Sequence, residues 1–548
     1  MTQIYPLKLG GATISLVLLA LPAIALDRFQ DLKDPTYWVQ LCTTLTKTKP
    51  AEAVPICERA IELRSGDAQL WANYGALLLS LKQYPEAIAA LDQALKRQSN
   101  NSLAWSDQCI ALTEVGQKEV ALAACEKALK VNANWGERTP VTTQHYRSLL
   151  LGTPEAYNAA IQAYDQVLTK NPQDSQALLY RGEAMKKLGQ PPGETIDYFK
   201  RALAGNGQWG QAAPLAAWLG QATTQTETGQ LEQAVQSFDR ALHLQPNNAV
   251  TWFQQGQTLQ HLHRPTEALT AINRAVQLQP NWAEALLAQC RLLNALQQAE
   301  AASTTCQKAI QGDGNWGKSD IAQAWNQNSV ALTMLGKLDL ALADANRAVG
   351  MQPEAGAMWT DRAVVLWYLK RYDEALASAR QALALNGEDA RAWANLARIW
   401  RSLNQPNDAL AAYREALKRD PQDAGTWGNL SALQWSLGNH NGALVSANQS
   451  LVVNPKFVQG WQNRSLALVA LKKFPDAQQG YEQAIALDKT NAEAWTGLGL
   501  VLAQLEQYPK AIQALQTAVS LNPQQAVAQR ALKALLAATQ PLSPPGSD

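Results

Sequence analysis

The residues Gln311-Gly-Asp-Gly-Asn-Trp-Gly317 carry the spacing G-x-G-x-x-G. In a strand-to-helix turn that spacing holds the pyrophosphate of a dinucleotide, because glycines let the backbone approach and the helix N-terminus supplies N–H donors. A near copy, GNGQWG, spans Gly205 to Gly210, and a trimmed one, NANWG, ends at Gly136. The phosphate chemistry requires a strand before the loop, a helix opening from it and an acidic residue about 20 positions on. Here Gly312 follows a segment of helical pattern, residues 298–311, and the chain lacks any strand-like run. No cofactor is therefore expected. The stretches read as interruptions, with glycines ending a helix in left-handed conformations and Trp135, Trp209 and Trp316 folding back over the helix end. The alternative is that these indoles anchor a partner.

Other chemistry is equally sparse. The five histidines, His145, His243, His261, His263 and His440, show no metal-ligand or catalytic spacing, and G-x-S-x-G, H-E-x-x-H and P-loop motifs are missing. The six cysteines fall as Cys42 with Cys57, Cys109 with Cys125 and Cys290 with Cys306, too far apart for the C-x-x-C clusters that hold zinc or run redox chemistry. Forty-seven Lys and Arg against forty-six Asp and Glu leave a charge of +1 with no long block of either sign. Nucleic acid, whose phosphates need clustered cations, is not an expected partner.

At the N-terminus Lys8 precedes an apolar run, Leu9 to Leu21, then Pro22 and the small-x-small triplet Ala23-Ile24-Ala25. This is the layout of a secretory signal peptide over residues 1–25, followed by a linker, 26–33. An uncleaved anchor is the alternative, since Leu9 to Leu26 is marginally long enough to span a bilayer. The chain is expected to be exported, to a periplasmic, lumenal or extracellular space, with no stable membrane insertion after cleavage.

The elements behind these residues follow from a repeat. Trp325, Trp359, Trp393, Trp427, Trp461 and Trp495 lie 34 residues apart, as do Trp71 and Trp105, and Trp218 and Trp252. With Trp as position 4, the last full repeat has Trp495, Leu498, Gly499 and Leu502 at positions 4, 7, 8 and 11. It has Tyr508, Ala511, Leu515, Ala518 and Pro523 at 17, 20, 24, 27 and 32. Positions 4, 7, 8 and 11 make one stripe at helical spacing and 20, 24 and 27 another. Small residues at 8 and 20 let two helices approach, and the proline opens the turn to the next repeat. One hairpin cannot bury both faces, so neighbours must stack.

The pattern resembles the tetratricopeptide repeat (TPR) family. The resemblance implies an all-α fold, a right-handed superhelical solenoid of about 14 helix hairpins plus a C-terminal capping helix. Units start near Asp34, Ala68, Ser102, Val141, Ser175, Leu215, Ala249, Ala283, Ala322, Gly356, Ala390, Ala424, Val458 and Ala492. The expected divisions are units 1–3 over 34–140, 4–5 over 141–214, 6–8 over 215–321 and 9–14 over 322–525, the first three each ending in a Trp-Gly insertion. A capping helix, 526–539, and a disordered tail, 540–548, complete the chain.

Each cysteine pair then sits inside one hairpin, at position 8 or 9 and position 24. Even pairing in an exported, oxidising compartment favours the disulfides Cys42–Cys57, Cys109–Cys125 and Cys290–Cys306, with buried free thiols as the alternative.

Carried over from the family, positions 2, 5, 6, 9, 12 and 13 of the first helix face a concave groove. Position 6 gives a ladder of amides, Asn395, Asn429 and Asn463, able to grip an extended peptide backbone. Position 12 gives Trp367, Arg401 and Trp435, in which the arginine could stack between two indoles. Arg398 and Asp361 add charge nearby. The TPR carboxylate clamp needs a lysine at position 5, where units ten to fourteen hold Thr360, Ala394, Gly428, Gln462 and Thr496. The expected function is a non-catalytic scaffold or assembly factor binding a protein or extended peptide in this groove. Recognition of an envelope glycan by the Trp, Asn and Arg side chains, or a purely structural spacer, are the alternatives.

Overall fold

The computed structural model describes residues 34–135, 140–209, 213–317 and 319–539, together with two paired dipeptides, Lys8–Leu9 (β1) and Ala12–Thr13 (β2). The expected signal segment, linker and tail lie outside the described residues, those dipeptides apart. From Asp34 onward every regular element among the described residues is a helix, from α1 (Pro35–Thr48) to α29 (Ala526–Thr539). They alternate as the first and second helices of fourteen repeats, followed by a final helix. The chain divides into two compact units, residues 1–262 with α1 to α13 (Ala249–His261) and residues 263–548 with α14 (Pro265–Leu278) to α29.

Local signals set the helix starts. The Asp67 carboxylate accepts the N–H groups of Gln69 and Leu70, and Asp389, Asp423 and Asn491 cap their own helices in the same way. Several second helices, α4 (Tyr84–Arg97), α22 (Pro406–Arg419) and α28 (Tyr508–Leu521) among them, carry proline in the first turn, where its missing N–H costs nothing. Position 20 is a fully buried alanine in every repeat except the fifth, where Thr195 takes its place, and within each compact unit it faces the first helix of its own repeat. The helices therefore meet nearly backbone to backbone. At positions 8 and 24, a Cβ on Gly75 would lie 2.6 Å from Leu91 Cγ, and one on Gly499 equally close to Leu515 Cγ.

The recurring tryptophan has two tasks. Its ring covers the joint between repeats, and its indole N–H donates to the carbonyl six residues earlier in the preceding turn. The same bond recurs at Trp71, Trp105, Trp252, Trp359, Trp393, Trp427, Trp461 and Trp495, to Ser65, Ser99, Pro246, Pro353, Gly387, Pro421, Pro455 and Lys489 at 2.8–3.0 Å. Each indole thus pins the turn that its own ring shelters.

The turn inside each hairpin departs from simple glycine punctuation. Position 15 has positive φ in units two, three and five to fourteen, whether it is glycine, as at Gly116, Gly336 and Gly438, or Lys82, Lys370, Asn404, Lys472 and Glu506. Hydrogen bonds such as Gln83 N–H to the Leu78 carbonyl close this turn and hold the left-handed residue in place.

The glycine-rich insertions meet the expectation of left-handed glycines at Gly207, Gly314 and Gly317, but these lie past the helix ends and do not cap them. Gly205, which ends α10 (Pro192–Ala204), is extended, and the residue ending α6 (Lys118–Val131) in a left-handed conformation is Asn132. In the turn that leads into the first helix of the same repeat, backbone carbonyls of Gln173 and Asn281 come so close that a Cβ on Gly205 or Gly312 would lie 2.6 and 2.8 Å away. The next residues use that approach. Asn206 N–H donates to the Gln173 carbonyl and Asp313 N–H to the Asn281 carbonyl, both at 2.7 Å. Their side chains in turn accept the N–H groups of Ser175 and Ala283. Each insertion folds back to cap the start of its own repeat. Trp209 and Trp316 pack, partly buried, on the neighbouring apolar clusters, and Trp135 donates to Asn132 Oδ1 at 3.0 Å.

Candidate functional site

Within residues 263–548, first helices of several successive repeats touch: α17 (Ile321–Met334) meets α19 (Gly356–Tyr368), α19 meets α21 (Ala390–Ser402), and α23 (Ala424–Ser436) meets α25 (Val458–Ala470), while α21 and α23 approach each other less closely. Among the described residues second helices do not approach each other in this way. The first-helix side is thus the closer-packed wall, and the eight candidate residues lie along it. They divide into side chains committed to the fold and side chains left available.

Asp361 belongs to the first group. Its carboxylate, 16% exposed, accepts from Asn326 Nδ2 at 2.8 Å and from the Arg391 guanidinium at 2.7 Å. Burial raises its pKa while Arg391 opposes the shift. Asn463, 5% exposed, donates to the Gly428 carbonyl at 2.8 Å and accepts from Gln459 at 3.2 Å. Its amide ties α25 to the preceding first helix and has no free edge for a peptide, so the three-rung ladder is reduced at that rung. Asn73, the equivalent in unit two, accepts from Gln69 of its own helix.

The stacking differs from the expectation as well. Arg398, not Arg401, lies over the Trp367 ring, 4.2 Å from its centroid. Trp367 is half-buried, donates its indole N–H to Ser402 Oγ at 2.9 Å and meets Tyr368 edge-on. Arg401 is exposed and has no hydrogen-bond or ion-pair partner among the described residues. Position 9 of one helix therefore reaches position 12 of the previous one, and position 12 reaches past it.

Three groups remain available beside Arg401. Arg398 has one long contact, 3.5 Å to Asn395 Oδ1, and no carboxylate partner among the described residues. Asn429 is half-buried with an amide unpartnered among the described residues, and Trp435 is 40% exposed with the His440 ring tilted beside it, centroids 6.4 Å apart. Sequence reasoning missed a pocket of about 200 Å³ on the same wall, lined by Val330, Thr333, Met334, Asp361, Val364 and Tyr368 among others. Its signal was apolar residues at positions 9 and 13 of unit nine, a unit with neither ladder residue.

A second polar cluster sits on the first helices of residues 1–262. His145 of α7 (Val141–Leu151) stacks on Tyr180 of α9 (Ser175–Lys187), centroids 3.9 Å apart, and its Nε2 lies 3.5 Å from Glu183 Oε2. Burial pushes the imidazole down to about 3 and the Glu183 carboxyl up to about 7, Lys187 opposing the latter. The two shifts act on stability in opposite directions. His145 loses stability as pH falls below 6.5, because the unfolded chain takes the proton first. Glu183 loses it as pH rises from 4.5 through 7, because the folded chain keeps its proton longer. Denaturant unfolding across pH 4–7.5 should therefore show Glu183→Gln losing stability toward acid and His145→Gln losing it toward neutral pH. Parallel slopes in the two variants would contradict the assignment. No group of three or more metal-ligating side chains is assembled among the described residues.

Tetratricopeptide repeat models match residues 45–106, 155–214, 215–248, 237–270, 331–384, 360–424, 401–456 and 463–526. No curated protein matches the chain. Among solved structures it is similar to the APC/C hetero-tetramer Cut9–Hcn1, at 14% identity over 92% of this chain and 96% of that one, with a TM-score of 0.44. It is similar to Naa15/Naa10 bound to HypK-THB, at 14% identity over 93% and 92%, with a TM-score of 0.37. YrrB, a TPR protein with an unusual peptide-binding site, is similar at 19% identity over 34% of this chain and 97% of its own, with a TM-score of 0.30. The hairpins, the tryptophan period and the repeat models agree, and the chain belongs to the tetratricopeptide repeat family.

Proposed function

We propose that this protein is a non-catalytic scaffold that holds an extended segment of a partner protein along the first-helix wall of α19 to α25. The observation that carries the reading is the set of unspent groups on that wall. Among the described residues Arg398 and Arg401 have no carboxylate partner, Asn429 has a free amide, and Trp435 is exposed, all within two consecutive repeats. A free asparagine amide offers one donor edge and one acceptor, which is what a peptide unit presents. An exposed indole supplies a large rigid surface for a side chain. A glycan reading would want Trp367 as a second stacking platform, and the Arg398 guanidinium already covers that ring.

Export is part of the proposal. The three cysteine pairs lie at disulfide distance, which suits an oxidising compartment, and no described helix is long and apolar enough to cross a membrane. A photo-reactive residue placed at Ala432, between Asn429 and Trp435 on α23, tests the site: it should capture a protein partner in the native cell. The same group at the exposed Val445, on the second helix of that hairpin, should not.

A further inference from the structure

We infer that the segment held on this wall is bipartite, with acidic side chains over α21 and apolar side chains over α23 to α27 (Ala492–Gln504); this rests on the peptide reading above. The acidic half follows from charge left over. The wall of α19 and α21 carries one carboxylate, Asp361, and three guanidinium groups, Arg391, Arg398 and Arg401. Arg391 pairs with Asp361, which leaves two positive charges unneutralised. Arg398 and Arg401 are three residues apart on one helix, so their like charges disfavour the helix that carries them. A carboxylate bridging them removes that repulsion and gains the planar, charge-assisted geometry that guanidinium favours. Trp367 holds Arg398 in place for it, 4.2 Å from the ring centroid.

The apolar half follows from an abrupt change in composition. Between Asp423 and Lys456 there is no Asp, Glu, Lys or Arg at all, although charged residues make up 17% of the chain. The wall positions of α23 are consequently uncharged, those of α25 also hold no Asp, Glu, Lys or Arg, and α27 has only Glu493, at position 2. Three large side chains stand exposed along this wall: Trp435 at 40%, Leu466 at 38% and Leu500 at 40%. An ion placed there would be desolvated with no partner, whereas a leucine or phenylalanine would cover apolar surface already facing water. Arg398 and Leu466 are two repeats apart. At roughly 10 Å between packed helices and roughly 3.3 Å per extended residue, the two halves should lie about six residues apart in the ligand.

The test uses the full-length chain and fluorescent dodecapeptides carrying two Glu and two Leu–Phe positions six residues apart, made in both chain directions. A second set replaces Glu by Lys, and a third replaces Leu and Phe by Ser. The better-directed Glu peptide should bind about tenfold tighter than its Lys or Ser counterpart, with the margin over Lys shrinking in high salt. Arg398→Gln/Arg401→Gln should erase the preference for Glu over Lys while leaving the preference for Leu–Phe over Ser. Leu466→Ser should do the reverse, and circular dichroism confirms that both variants are folded. Equal binding of the Glu and Lys peptides, or a preference for Glu that survives the double arginine variant, overturns the bipartite inference and leaves the peptide reading standing. Failure of every peptide to bind overturns both.

Discussion

Trp71→Ala is expected to destabilise its part of the chain by about 3 kcal/mol. Trp71 packs on three apolar clusters at once, one with Cys42, Cys57 and Leu70, one with Leu78 and Ala87, and one with Leu91 and Ala104. Its indole N–H also holds the Ser65 carbonyl at 3.0 Å, and Arg97 covers the ring 5.4 Å from its centroid. Alanine leaves a cavity shared by neighbouring hairpins and frees a turn carbonyl. Trp71→Phe keeps most of the packing and loses the hydrogen bond, so it should cost only about 1 kcal/mol. Because each hairpin touches only its neighbours, the damage should be local. Amide hydrogen exchange should accelerate in α3 (Ala68–Ser80) and the helices packed against it, leaving α25 to α28 unchanged. Uniform acceleration along the whole chain would contradict a stack held together by neighbour contacts.

Loss of one covalent link should be nearly as costly, and a substitution already present in the chain can isolate it. Cys109 and Cys125 occupy positions 8 and 24, where unit two has Gly75 and Leu91 and unit fourteen has Gly499 and Leu515. The same close approach is filled by a glycine–leucine contact in those hairpins and by two sulfurs in units three and eight. Their Cα atoms are 5.2 and 5.4 Å apart, and those of Cys42 and Cys57, at positions 9 and 24, are 4.8 Å apart, all within the range a disulfide spans. Cys109→Gly/Cys125→Leu should therefore preserve the packing and remove only the bond. Closing a loop of this length contributes about 3 kcal/mol in the chain-entropy model, and the variant should lose that amount in oxidising buffer. Dithiothreitol should also lower the natural chain's stability, and the variant should lose less to it because one link is already gone. Thiol counting on the unreduced, unfolded protein checks the premise: no reactive thiols are expected, and six would contradict it.

The repeat was legible because its physics is periodic. A tryptophan recurring at 34 residues, a small residue at positions 8 and 20 and, in several repeats, a proline at 32 specify where helices start, approach their partners and stop. What escaped the sequence depends on contacts between repeats. Lys82, Lys370 and Glu506 adopt positive φ against their own preference because hairpin closure outweighs the local cost. Gly205 and Gly312 look like left-handed caps, but their value is the missing Cβ beside a carbonyl of a neighbouring turn.

The candidate site shows the same boundary. Position 6 identified Asn395, Asn429 and Asn463 as a set, yet only contacts distinguish them: Asn463 reaches the Gly428 carbonyl, while Asn429 finds nothing. Position 12 suggested Arg401 as the stacked cation. The stagger between helices instead brings Arg398 over Trp367 and leaves Arg401 in solvent. Side-chain type and period locate the wall, and the stagger decides which groups on it remain free.

The most direct test of that wall is site-specific photo-crosslinking from Ala432 in the native cell, with adducts identified by mass spectrometry. A discrete protein adduct is expected from Ala432, lost in the Asn429→Ala/Trp435→Ala background, and none from Val445. An adduct that forms equally from Val445, or that persists undiminished when Asn429 and Trp435 are removed, would contradict it.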